Sequence, residues 1–181
     1  MTKLEIAAQS VGIVAMALNI ISFQFKKQKT IIFFQLLVST LFSINFLMLG
    51  ATMGGILNII GIARATVFMF KEKMRTDRPI WLVGFVSLYL IAYVLSFTVF
   101  GKEPSAFNLM VEFLPVIGMT ALTVGFGLKS ASQTRKCALI NSPAWLVYNV
   151  IVGSWGAIAC EVMTLVSVVF GIVRHDKLTN K

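Results

Sequence analysis

Glu112, Glu161, Asn45, Asn58 and Asn149 each fall inside a long apolar run, in company with the indole of Trp145 and the guanidinium of Arg64. A polar group in hydrocarbon is unfavourable unless it is paired or faces a cavity, so each of these is a candidate for function. Counted along their runs, the two acids and three amides all fall in the outer half of the membrane, which reads as one polar layer lining a cavity. Glu161 leads the set. A carboxyl group there, away from bulk water, can take up a proton or face a cationic ligand, or it can simply tie two helices together. Thr164 lies one turn further on the same helical face, and Asn58 is expected to face Glu161 from the other half of the chain.

Most of the remaining candidates carry two readings. Glu112 is only six residues from the start of its run and can reach the interface. Trp145 is central in its run, so it is either one wall of a pocket or packing. Arg64 can snorkel to the headgroups or pair with an internal partner such as Glu161. Pro115 and Pro143 free helix carbonyls and are either hinges or static kinks. Gly54, Gly55 and Gly61 leave a smooth strip for close helix approach.

Seven apolar runs must position these groups: Leu4 to Phe25, Thr30 to Leu49, Gly54 to Phe70, Ile80 to Phe100, Ala106 to Leu128, Cys137 to Val152, and Trp155 to Val173. Most approach the roughly 20 residues that cross about 30 Å of hydrocarbon. The sixth is short and polar, with Asn141, Ser142 and Pro143. With 57% hydrophobic and 13% charged residues and a mean hydropathy of +0.87, the chain holds more apolar surface than 181 residues can hide from water. The fold class is therefore an all-α membrane protein with seven transmembrane helices.

Basic residues gather on alternate joints. Lys26, Lys27 and Lys29, then Lys71, Lys73, Arg75 and Arg78, then Lys129, Arg135 and Lys136, and finally Arg174, Lys177 and Lys181 fall on one side, against Lys3 and Lys102 on the other. The positive-inside rule puts the N-terminus outside and the C-terminus in the cytoplasm. This accounts for the net charge of +9 without nucleic acid. The first run lacks a basic leader and a small-residue cleavage site, so it is expected to stay as the first span. Cys137 and Cys160 have no histidine nearby, the single His175 being in the tail, and suggest neither a disulfide nor a metal site. No nucleophile stands beside the carboxylates and no phosphate loop follows a strand, so neither enzyme activity nor a cofactor is expected.

Landmarks recur between the first three runs and the last three. Gly12 answers to Gly118, Lys29 to Lys136 and Lys73 to Lys177, while the intervals of Asn45, Gly50 and Asn58 return in Tyr148, Gly153 and Glu161. The fourth run has no counterpart. The plan is a first three-helix bundle over 1–73, a linker helix over 74–104 and a second bundle over 105–181, with the single linker span giving both bundles the same orientation.

The chain resembles the YgjV family of bacterial inner-membrane proteins through Val111-Glu112-Phe113-Leu114-Pro115-Val116-Ile117-Gly118, through Gly55-Ile56-Leu57-Asn58, and through Trp145, Asn149, Gly153 and Glu161. That resemblance implies an inner-membrane location and names no substrate. More distantly the three-one-three plan is similar to the SWEET sugar transporters, the nicotinamide riboside transporters and the PQ-loop proteins. SWEET-type proteins have prolines in the first two spans of both halves and an Asn in the third. Here Gln9 and Thr40 stand at about the matching places of the first half, Glu161 replaces one Asn, and no Pro-Gln pair occurs. Neither a four-proline hinge nor a sugar substrate carries over.

The sequence thus points to passage of a small polar or cationic solute between two repeats, with Asn58, Glu161, Trp145, Asn149, Glu112 and Asn45 at the site. The competing class is a seven-span receptor or assembly partner whose polar residues only pack. The partners are the lipid bilayer and a small solute, homo-oligomerisation stays open, and joints of no more than about ten residues leave no room for a soluble domain.

Overall fold

Each apolar run folds as a helix, the local structure that satisfies every backbone N–H and C=O without water. The computed structural model describes residues 3–49, 52–152 and 155–177, the side chains of residues 52, 53, 152, 155, 176 and 177 excepted. Gly50 and Gly153 of the expected repeat and Lys181 of the basic tail lie outside the described residues, as does the side chain of Lys177. The long helices are α1 (Lys3–Ser22), α2 (Gln28–Met48), α3 (Thr52–Met69), α5 (Pro79–Thr98), α6 (Ala106–Gly127), α7 (Ala131–Val152) and α8 (Trp155–Ile172). A single turn, α4 (Lys71–Met74), follows α3, and α8 runs on into a π-helical turn, Val173–Lys177. Among the described residues there is no strand.

Local chemistry sets the boundaries. Pro79 opens α5, where its missing N–H is no loss. The Ser105 hydroxyl accepts from Asn108 N at 3.1 Å to start α6, and the Ser130 hydroxyl accepts from Gln133 N at 3.2 Å to start α7. After α5 the chain turns through Gly101 at φ 68°, a left-handed conformation that favours glycine.

One expectation is corrected here. The sixth run does not begin at Cys137: its helix starts six residues earlier, at Ala131, and carries Arg135 inside it. Arg135 is only 2% exposed and donates from Nη1 to Phe25 O at 3.0 Å, so a charge that marks a joint in the sequence is bonded within the fold. The joint after α3 holds the α4 turn. Among the described residues, five helices are by themselves long and apolar enough to cross a membrane: α1, α2, α5, α6 and the helix through α8. The apolar part of α3, Gly54–Met69, is shorter, and α7 is the most polar of the long helices. The polar side chains of α7 are enclosed by protein: Thr134, Arg135, Ser142 and Asn149 are all buried.

In the packing, α2 lies between α1 and α3 and α7 between α6 and α8. Contacts of α1 with α8, α3 with α6, and α2 with α7 join the two triplets, while α5 flanks α3 and α6. The glycine strip of α3 meets α2: a Cβ on Gly54 would fall 2.9 Å from the Phe46 ring, and one on Gly61 2.9 Å from Ser39 Oγ. The outward faces are apolar, as Ile80, Met110 and Phe170 illustrate, which suits contact with lipid tails.

At the end of the molecule where the basic joints gather, the triplets are cross-bonded. Gln28 Nε2 reaches Gly125 O at 2.9 Å, Leu128 O at 2.7 Å and Thr134 Oγ1 at 2.9 Å. Lys71 Nζ donates to Gln28 Oε1 at 3.1 Å and also to Leu128 O. Gln24 Nε2 donates to Ser167 O at 2.7 Å, and His175 Nε2 lies 2.9 Å from Gln24 O. Burial, and then the neighbouring Lys129, push the Lys71 ammonium below the ordinary lysine range. The destabilisation this places on the joint is present while Lys71 is protonated and is relieved as pH rises through its folded-state value.

Candidate functional site

A cavity of about 80 Å³ lies between the triplets, walled by side chains of α1, α2, α3, α6, α7 and α8. Four of the six residues picked out in the sequence stand on its wall: Asn58, Trp145, Asn149 and Glu161. Thr164, one turn from Glu161, lines it as well.

Glu161 is partly buried, and its Oε2 is enclosed with no hydrogen-bond partner. The Ser142 hydroxyl approaches from α7, yet Ser142 Oγ also completes no bond. Asn141 Oδ1, on the same wall, is likewise unsatisfied. Buried polar atoms are nearly always bonded, so several orphans around one hollow mark the place where water or a ligand belongs.

Trp145 is 9% exposed and meets Tyr148 edge to face at 5.8 Å. Gly118 sets the separation of α6 and α7 at this level. A Cβ there would stand 3.1 Å from Asn141 O and 3.1 Å from Trp145 Cδ1. Gly118→Ala is therefore expected to destabilise the protein by about 1 kcal/mol or more through overpacking. Thermal unfolding of the purified protein checks this, and an unchanged midpoint would mean that the contact is slack.

Sequence reading missed several wall residues. Asn19 Nδ2 donates to Thr164 Oγ1 at 2.8 Å, and Gln35 Nε2 donates to Asn19 Oδ1 at 2.7 Å and to Ser22 Oγ at 3.0 Å. Thr164 Oγ1 in turn donates to Cys160 O at 2.7 Å. This satisfied network joins α1, α2 and α8. The signal that finds it is the one already applied to Asn58, an amide inside an apolar run, and it was available for Asn19 and Gln35.

Arg64 also lines the cavity, held by internal partners as one of its two expectations had it, although Glu161 is not among them. It does not snorkel, being 2% exposed, and among the described residues it forms no ion pair with Glu161 or any other carboxylate. Its Nη1 lies 3.2 Å from Met119 O, 3.4 Å from Tyr89 Oη and 3.5 Å from Thr123 Oγ1. Its Cζ sits 5.0 Å from the centre of the Phe126 ring, a cation–π arrangement. The Nε has no partner.

Two expected members lie elsewhere, so the predicted single layer does not assemble. Glu112 pairs with Lys102 from the α5–α6 joint. Asn45 turns to α1, donating from Nδ2 to Ala8 O at 2.7 Å, and borders a separate recess of about 500 Å³ with Gln9, Gly12 and Gly156. Phe42, Phe46 and Ala157 border both hollows. Pro115 is buried within α6 and Pro143 exposed within α7, and both helices run on through them.

The family described as a bacterial inner membrane protein, Imp-YgjV, matches residues 6–179. The chain belongs to that family. Comparison with curated proteins and with solved structures gives no match. As a YgjV-family protein with several membrane-length apolar helices, it is a multi-pass protein of the bacterial inner membrane in contact with lipid. The match is to a membrane-protein family and not to an enzyme family. The segment Val111 to Gly118 that carried the resemblance supplies the Gly118 contact beside Trp145.

Proposed function

We propose that this YgjV-family protein passes a small polar or cationic solute across the inner membrane by alternating access between two parallel three-helix repeats. In this reading the repeats occupy 1–73 and 105–181, the linker helix occupies 74–104, seven helices span the bilayer, and the N-terminus is outside. Glu161 and Asn58 contact the solute, with Trp145 and Asn149 beside them.

One observation carries the reading: a hollow between the triplets, walled by both, holds a carboxylate whose Oε2 is enclosed and without a partner. The matching order of packing, α2 central in one triplet and α7 in the other, supports a duplication. The bonds of Gln28 and Gln24 between the triplets supply a closure at the basic end, and the recess beyond Phe42 and Phe46 supplies a way in from the other. The test is uptake by proteoliposomes given labelled metabolites under a solute gradient and under a proton gradient. Accumulation above protein-free vesicles is expected for at least one polar or cationic solute, and none under either gradient overturns the reading.

The competing reading, a receptor or assembly partner, draws on the small cavity and on the satisfied Asn19, Gln35 and Thr164 network, which suits a static strut.

A further inference from the structure

We infer that the cavity is built for a small zwitterion, a molecule carrying one carboxylate and one ammonium such as a short amino acid. This rests on the proposed solute site and narrows its ligand class. The wall carries one guanidinium, Arg64, and one carboxylate, Glu161, and the two do not pair with each other. Each keeps one enclosed polar atom without a partner, Nε on Arg64 and Oε2 on Glu161.

Opposite charges buried beside the same hollow are costly to hold apart, and breaking such a pair leaves each charge uncompensated. Arg64 is kept apart by its surroundings. Its Nη1 is engaged by Met119 O, Thr123 Oγ1 and Tyr89 Oη, and the Phe126 ring covers its face. The Nε edge remains, and a guanidinium edge is the geometry that binds a carboxylate through two parallel bonds.

A ligand with both charges compensates both groups at once and brings no net charge into a low-dielectric site. A simple amine satisfies Glu161 but adds a like charge near Arg64. A simple acid does the reverse. Asn141, whose Oδ1 is unsatisfied, adds an acceptor for an ammonium N–H. A hollow of about 80 Å³ suits a ligand of few non-hydrogen atoms.

The test uses the unaltered full chain in nanodiscs and measures binding by titration and thermal shift. Glycine, L-alanine, β-alanine and γ-aminobutyrate sample different charge separations. For each, one analogue lacks the carboxylate and one lacks the ammonium; for L-alanine these are isopropylamine and isobutyrate. At least one zwitterion is expected to bind roughly tenfold or more tighter than both of its analogues, since a hydrogen bond to a charged group is worth at least that much. Glu161→Gln is expected to weaken the zwitterion and the amine and to spare the acid. An amine that binds as tightly as its zwitterion overturns this inference and leaves the proposed solute passage standing. No binding by any of the three kinds of ligand, together with no uptake of any metabolite, overturns both. The ligand series needs no Arg64 variant, so a folding defect at that buried residue cannot mask the result.

Discussion

Glu161→Gln is expected to abolish solute uptake in proteoliposomes, by about a hundredfold or to background, while the protein purifies in normal yield and unfolds at an equal or higher temperature. The amide keeps the shape of the carboxyl group and removes its charge. At present Oε2 is enclosed without a partner, and an unsatisfied charged group at such a place costs about 1 to 3 kcal/mol or more. A residue kept for binding can lower stability, so its neutral counterpart gains in stability and loses the ligand. A strut behaves the other way. If Glu161→Gln lowers the unfolding temperature by several degrees with uptake intact, the carboxylate belongs to packing and the transport reading loses its central residue.

Gln28→Ala gives the second large effect. The Gln28 amide bonds to Gly125 O, Leu128 O and Thr134 Oγ1, so a single side chain from the start of α2 holds the end of α6 to the start of α7. It also receives Lys71 from the α4 turn. Removing two such bonds, each worth about 0.5 to 1.5 kcal/mol, shifts an opening equilibrium by roughly tenfold or more. Cys160 reports the shift directly, because it lines the cavity, is 2% exposed, and carries a free thiol. With Cys137 replaced by Ser, the rate at which a small cationic thiosulfonate modifies Cys160 from the basic side is expected to rise at least about tenfold in the Gln28→Ala protein. An unchanged rate would show that this end does not gate the cavity.

How far these residues were legible in the sequence depends on which coordinate they needed. Hydropathy located all the long helices, because an apolar run in a membrane has few alternatives to a helix. It misplaced the start of α7, since Arg135 reads as a joint until its bond to Phe25 O is seen. Counting along the runs grouped Asn58, Asn149 and Glu161, and all three line the cavity. The direction in which a residue faces around its helix was not legible. Asn45 and Glu112 were expected in the same layer, yet one turns to Ala8 on α1 and the other to Lys102, and no helical period announces which neighbour a face will meet. Arg64 was ambiguous for the same reason: its anchors Tyr89, Met119 and Thr123 come from two helices far along the chain.

The enclosure of α7 bears on how the chain is made. With Arg135, Thr134, Ser142 and Asn149 all buried among neighbouring helices, α7 presents more polar groups than a lone helix in lipid readily carries, each being unfavourable there unless paired or enclosed. Its nearest neighbour α6 precedes it in synthesis and is amply apolar. Biogenesis of the second triplet is thus expected to be a joint event, with α7 sheltered from lipid by its packing against α6 and α2.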